Sequence, residues 1–295
     1  MSPIALLLII FSALLQAALN VPIKGSERKV AFITGATLIS LVIYLPIFIW
    51  RGAILGEHGY PVGLWSWIGV IACSLVGTYY YIFLGGAYDR GDLSVVFPVT
   101  RGFGPLFILI FALLLLKENI SYLGLLGILI TIAGSYMIYL PSFKPSELLQ
   151  PLRAFRSKTF LFSMAAGACT AAYALINKRN LEVVSPFTLF YLIYIFMTLF
   201  LLVFLWIKNR IRQTSLEFKH NRTNLFVFGF FNFISSVLVL YALRMSKVSY
   251  LGAARNISVL FGVILGCFFL KEGYGKIRFL ASLLIFGGIV LLSLG

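Results

Sequence analysis

Two arginines lie where the sequence is otherwise apolar. Arg101 follows Val95-Val96-Phe97-Pro98-Val99-Thr100, and Arg255 follows Tyr250-Leu251-Gly252-Ala253-Ala254. A guanidinium is a permanent cation with five N–H donors in one plane, a shape that matches a carboxylate or a phosphate. In hydrocarbon it is costly: insertion scales place an arginine at about 2.5–3.5 kcal/mol at a helix centre. Each arginine therefore needs a counter-charge, a wet cavity or a bound anion. Carbonyls, tyrosines and asparagines inside a helix bundle are one way to hold it. A polar site receptive to anions is another, and the two are compatible.

The neighbouring residues favour a site. Pro98, Gly102, Gly104 and Pro105 crowd the backbone around Arg101, and prolines there remove helix hydrogen bonds. Irregular backbone at membrane depth is tolerated only inside protein or along a cavity. Arg255 is followed by Asn256 and Ser258 in a stretch without proline, so the chain around Arg101 is expected to be the more distorted and specialised of the two. Polar side chains recur in other apolar runs: Gln16, Asn20, Thr78, Asn177, Asn232, Ser235, Ser236 and the run Tyr79-Tyr80-Tyr81. Taken singly, each is better explained as an interhelical contact. Taken as a set, Arg101, Arg255, Thr100, Asn256, Thr78, Asn232, Tyr81, Gln16 and Asn20 are the candidate substrate-binding residues.

Other chemistries lack their residues. No aspartate or glutamate lies in the middle of an apolar run: Glu118 and Glu272 sit at run ends beside Lys117 and Lys271, and Asp89 and Asp92 lie in a turn. His58 and His220 fall in connections, which leaves no histidine relay and no metal centre. Cys73, Cys169 and Cys267 are an odd number without close spacing, which speaks against a disulfide framework or zinc site. No Walker loop, dinucleotide fingerprint or nucleophile–base pairing is present. The expectation is a protein that is not an enzyme, with no catalytic residue, metal or cofactor.

The elements that carry these residues are long apolar runs. The chain is 61% hydrophobic and 11% charged, against about a quarter charged in soluble domains. Ten runs of about 18–24 residues match the roughly 20 needed to cross a bilayer. They cover about 3–22, 30–50, 64–87, 93–116, 121–140, 159–177, 186–207, 223–243, 248–270 and 277–294. The fold class is an all-α polytopic membrane protein with ten transmembrane helices. The first run lacks a basic leader and reads as a retained helix rather than a signal peptide. The net charge of +15 raises nucleic acid as a partner, but the loop cations segregate, about sixteen after odd-numbered runs against six after even-numbered ones. The positive-inside rule makes the basic loops cytoplasmic and puts both termini outside. The expected partners are a small-molecule substrate and the lipid bilayer, with no nucleic acid. The expected place is the cell (inner) membrane, multi-pass, as monomer or homodimer.

The chain also matches itself. A shift of 154 residues lays Arg101 on Arg255, Lys117-Glu118 on Lys271-Glu272, Gly134 on Gly288, Lys24 on Lys178 and Thr78 on Asn232. Just upstream of the arginines, Ala87-x-x-x-Gly91-x-x-Ser94 fits Ala242-x-x-x-Ser246-x-x-Ser249 one residue further on. Each half, residues 1–145 and 155–295, holds five runs. An odd number makes the halves enter the membrane in opposite senses, the inverted repeat of many secondary transporters. Arg101 lies about eight residues into its run, roughly 12 Å deep at 1.5 Å per residue. Arg255 approaches the midplane similarly from the other face.

With its two copies of Ala-x-x-x-Gly/Ser-x-x-Ser, apolar helices ending in Lys-Glu and glycine-bearing last helices, the chain resembles the EamA-type family of the drug/metabolite transporter superfamily. The resemblance covers all ten runs. Phe97-Pro98-Val99-Thr100-Arg101-Gly102 and Arg255-Asn256-Ile257-Ser258-Val259-Leu260-Phe261 look like one branch of it, some members of which are associated with phosphonate utilisation. The resemblance implies ten helices as two inverted five-helix repeats, and a central cavity lined largely by the third, fourth, eighth and ninth. Small multidrug-resistance relatives carry a glutamate in the first helix that binds protons and cationic drugs. This chain has Gln16 and no acid there, so the resemblance supplies no cation site.

The function expected is a secondary transporter or exporter of a small anionic or zwitterionic metabolite, working by alternating access between the repeats. The alternatives are a translocator of a lipid-linked or amphipathic substrate and a non-transporting membrane scaffold.

Overall fold

A computed structural model describes residues 2–53, 63–90, 100, 104, 107–115, 117, 119–137, 140, 157–258 and 276–294. Every regular element among them is a helix: α1 Pro3–Gly25, α2 Lys29–Ala53, α3 Leu64–Tyr88, α4 107–115, α5 Tyr122–Met137 and α6 Lys158–Asn180, then α7 Pro186–Ile207, α8 Arg212–His220, α9 Arg222–Met245, α10 Val248–Ala254 and α11 Lys276–Leu294. Local signals set several starts. The Ser2 and Ser157 hydroxyls accept the N–H groups of Ala5 and Phe160, and Pro3 and Pro186 occupy first turns, where a missing N–H costs nothing. Five of the helices (α2, α3, α6, α7 and α9) are long and apolar enough to cross a bilayer.

The outward faces are apolar: Leu7, Val42, Trp65, Leu114 and Leu161 are all exposed. Lipid tails are as apolar as leucine, so these faces do not drive the helices together; close packing and interhelical hydrogen bonds must do so. The hydroxyls supply such bonds. Ser12 Oγ lies 2.8 Å from Ser235 Oγ, joining α1 to α9. Ser40 donates to the Gly229 carbonyl at 2.7 Å and Tyr44 to the Phe230 carbonyl at 2.8 Å, joining α2 to α9. Tyr191 donates to the Leu41 carbonyl at 2.9 Å, and Ser74 lies 3.2 Å from the Ile193 carbonyl. Phe233 is the hub of the core, stacked on Tyr44 with centroids 4.0 Å apart and edged by Phe187, Phe190 and Tyr194.

The pairing of helices is unchanged when the two halves of the chain are exchanged. α1 packs on α9 while α6 packs on α3; α2 on α9 corresponds to α7 on α3. Two pairs, α5 with α11 and α2 with α7, map onto themselves. All of these principal pairs join the first half to the second. Lys178, which matches Lys24 in the repeat, donates to the Leu243 and Ser246 carbonyls at 2.9 and 2.7 Å and so caps the end of α9.

One element departs from expectation. The sequence predicts an unbroken helix from residue 248, yet α10 ends at Ala254 and Arg255 is its C-cap. The next turn tightens: the Asn256 N–H bonds the Ala253 carbonyl and the Ser258 N–H the Arg255 carbonyl, both three residues back. An irregularity of the kind expected around Arg101 is thus found at Arg255, without proline. Arg101, Pro98, Gly102 and Pro105 lie outside the described residues.

Candidate functional site

The tight turn after α10 opens onto a cavity of about 160 Å³ in the middle of the bundle. Its walls come from α1, α3, α6, α7, α9 and α10, with Thr100, Gly104 and Ile108 from the fourth run. The third, fourth, eighth and ninth runs supply most of the lining, as the resemblance implies, but the first, sixth and seventh contribute as well.

Arg255 holds the only formal charge among the described lining residues. Its backbone N–H closes the last α-helical bond to Leu251 at 3.0 Å, so the guanidinium is anchored at the carbonyl end of α10, where partial negative charge favours a cation. From there Nη2 reaches Gln16 Oε1 on α1 at 3.4 Å. That bond joins the two halves through the cavity, and it is made to a neutral amide, so the guanidinium charge is not cancelled by it.

Asn256 follows in the same turn. It is 1% exposed, lines the cavity, and its Nδ2 has no hydrogen-bond partner among the described residues. A buried amide left without a partner carries a desolvation cost of about 1–3 kcal/mol, which a bound polar ligand or water removes. Asn232 on α9 is committed differently: its Nδ2 donates to the Tyr194 hydroxyl at 2.6 Å. Tyr81 adjoins both Asn232 and Tyr194, so a tyrosine–amide cluster faces the Arg255 turn.

Of the candidate residues, Arg255, Asn256, Asn232, Tyr81, Gln16 and Thr100 line this one cavity. Thr100 is buried and also lies 3.4 Å from the Ser163 carbonyl. Thr78 is buried but does not line the cavity; its hydroxyl donates to the Ser74 carbonyl in its own helix at 2.8 Å. Arg101 and the side chain of Asn20 lie outside the described residues. Sequence reasoning missed Tyr173 on α6 and Tyr194 on α7, and passed over Thr170 and Cys169. Tyrosines in helices this rich in aromatics carry no signal that separates a site from packing. The one available signal was the repeat, which lays Gln16 on Thr170 at the same 154-residue shift. Among the described residues no cluster of three or more His, Cys, Asp or Glu is placed to hold a metal ion.

A crystal structure of another protein superposes on this chain with a TM-score of 0.70, covering 98% of each chain at 15% identity. That likeness is one of fold. The EamA-like transporter family model matches the chain twice, over residues 3–140 and 157–294, nearly its whole length. This multi-pass membrane protein, built from two such repeats, belongs to the EamA-like transporter family.

Proposed function

We propose that the chain is a secondary transporter or exporter of a small anionic or zwitterionic metabolite. Its ten runs form two inverted five-helix repeats with both termini outside the cell (inner) membrane. The repeats rock about the central cavity to expose it to either side in turn. The carrying observation is the chemistry of the cavity wall, which has a guanidinium at Arg255, an uncommitted amide at Asn256 and no carboxylate among its described lining residues. Such a wall attracts an acidic group and gives a cationic drug or a coupling proton no acceptor. Arg101, matched to Arg255 by the repeat, is the second proposed cation of the site. A non-transporting scaffold calls for a filled bundle, and the cavity speaks against it.

The test has two stages. A thermal-shift screen of the purified protein against anionic, zwitterionic and cationic metabolites identifies a ligand, since whatever binds only the folded state raises the melting temperature. Transport of that ligand is then followed in vesicles. Arg255→Ala and Arg101→Ala should each remove transport and the thermal shift while the proteins remain folded. Retained transport in both variants sinks the anion-site reading.

A further inference from the structure

The connection between α7 and α9 contains α8, nine residues long, packed on α2. A helix at a water boundary turns its apolar side chains inward and its polar ones outward. α8 departs from that pattern at three positions, Thr214, Leu216 and Glu217. At 3.6 residues per turn, Thr214, Glu217 and Phe218 fall on one side. Thr214 and Glu217 are buried, and the Phe218 ring stands against Gly35 of α2. Leu216 on the outer side and Ile211 beside it are exposed, and so are Trp206 and Ile207 at the end of α7, at 68% and 64%.

Charge is sorted in the same way. Between residues 206 and 222 the sequence has one acid and five lysines or arginines. The acid, Glu217, is 2% exposed, and its Oε2 accepts the Asn221 amide at 2.7 Å. Lys208, Arg210, Arg212, Lys219 and Arg222 are all exposed. The outer surface of the segment is thus purely cationic, with apolar side chains set among the cations.

We infer that this surface binds the headgroups of anionic phospholipids in the leaflet around it. The phosphodiesters pair with the arginines and lysines, while Trp206, Ile207, Ile211 and Leu216 enter the acyl boundary. Topogenesis alone explains basic residues in a short loop in any conformation. It asks neither for the single acid to be turned inward nor for leucine and isoleucine to be turned outward beside the cations. The inference needs only the membrane location and does not rest on the transport reading.

Native mass spectrometry of the detergent-purified full chain, with phosphatidylglycerol or phosphatidylcholine of identical acyl chains, tests it. The wild type should retain the anionic lipid at least tenfold better. Arg212→Gln with Lys219→Gln should weaken that preference, at roughly fivefold per cation, and Lys117→Gln, which removes one charge elsewhere, should leave it intact. Equal retention of the two lipids by the wild type overturns the proposal, and so does an equal loss in Lys117→Gln. If the double variant does not fold, salt decides on the wild type. Raising it from about 0.05 to 0.5 M shortens the screening length severalfold and should erase most of the preference; an unchanged preference refutes the assignment. Displacement of the lipid by inorganic phosphate at equal concentration would assign the surface to a soluble anion instead.

Discussion

The seam between α5 and α11 and the cavity at Arg255 treat the same internal repeat in opposite ways. In the seam, the matched residues Gly134 and Gly288 are both glycine, and each meets the backbone of the other helix. A Cβ on Gly134 would stand 2.9 Å from the Ala281 carbonyl oxygen and 3.0 Å from the Ile285 nitrogen. A Cβ on Gly288 would stand 2.7 Å from the Gly127 carbonyl oxygen and 2.9 Å from the Thr131 nitrogen. The contact is reciprocal and symmetric. In the cavity, matched lining positions differ: Gln16 lies on Thr170, and Leu19 on Tyr173. Where the two copies press backbone on backbone, only one side chain fits both. Where they face open space, each copy is free to carry a different side chain. The duplicated chain therefore keeps glycine at both ends of this close contact and varies side chains that line the cavity.

The seam should be the more fragile of the two regions. Gly288→Val or Gly134→Val forces branched carbons into a backbone that cannot move aside. Overpacking of this kind costs about 3 kcal/mol at the upper end of its usual range. The expected result is a lowered melting temperature and a reduced monodisperse fraction on size exclusion, with or without ligand. Valine variants as stable as the wild type would mean that the two helices do not approach this closely.

The contrast also shows what the sequence makes legible and what it does not. The helices are read from apolar runs because a bilayer imposes length and apolarity together, and Gly134 with Gly288 is visible because a close contact demands glycine on both sides. Arg255 stands out because a charge in such a run is rare. The end of α10 at Ala254 is not legible, since residues 248–254 contain no proline and would continue a helix on local grounds. Thr78 and Asn232, matched by the repeat, are both candidate binding residues on sequence grounds. A threonine hydroxyl can bond the carbonyl four residues back in its own helix, as it does to Ser74, whereas the longer asparagine side chain reaches Tyr194. The inward turn of Glu217 in a basic connection depends on α2, which is remote in sequence. Periodicity describes one helix at a time; which face is turned inward depends on the partner.

The cavity should respond to charge rather than to volume. Gln16→Glu is nearly isosteric and places a carboxylate where Oε1 now lies 3.4 Å from Arg255 Nη2. Above the new carboxyl's pKa the pair is neutral and the attraction for an acidic ligand is lost, so the affinity of the best anionic ligand from the screen should fall at least tenfold. Below that pKa the side chain is a neutral acid resembling glutamine, and affinity should recover. The variant's affinity therefore rises as pH falls, while the wild type, with glutamine there, lacks this dependence. Titrating thermal shift against ligand at several pH values measures it. Equal affinity at neutral pH would place the ligand away from Arg255.

The smallest effect falls between two adjacent glycines and bears on the seam alone. Gly287 and Gly288 occupy consecutive positions in the same helix, so helix propensity and depth are nearly the same for both. Their surroundings differ: a Cβ on Gly287 meets nothing within 4 Å, whereas one on Gly288 meets backbone. Alanine in a helix interior is favoured over glycine by about 0.5–1 kcal/mol in water. In a membrane protein whose denatured state stays partly helical, the gain should lie between zero and that value. Gly287→Ala should therefore leave the melting temperature unchanged or raise it slightly, and Gly288→Ala should lower it by an amount equivalent to about 1–2 kcal/mol. Opposite signs at neighbouring positions cannot come from helix propensity or depth, because both act on the two residues alike. They can come only from what stands opposite each one, which is open space for Gly287 and the α5 backbone for Gly288. If the two alanines shift stability in the same direction and by the same amount, the close approach of α5 to α11 is wrong even if both valine variants misfold.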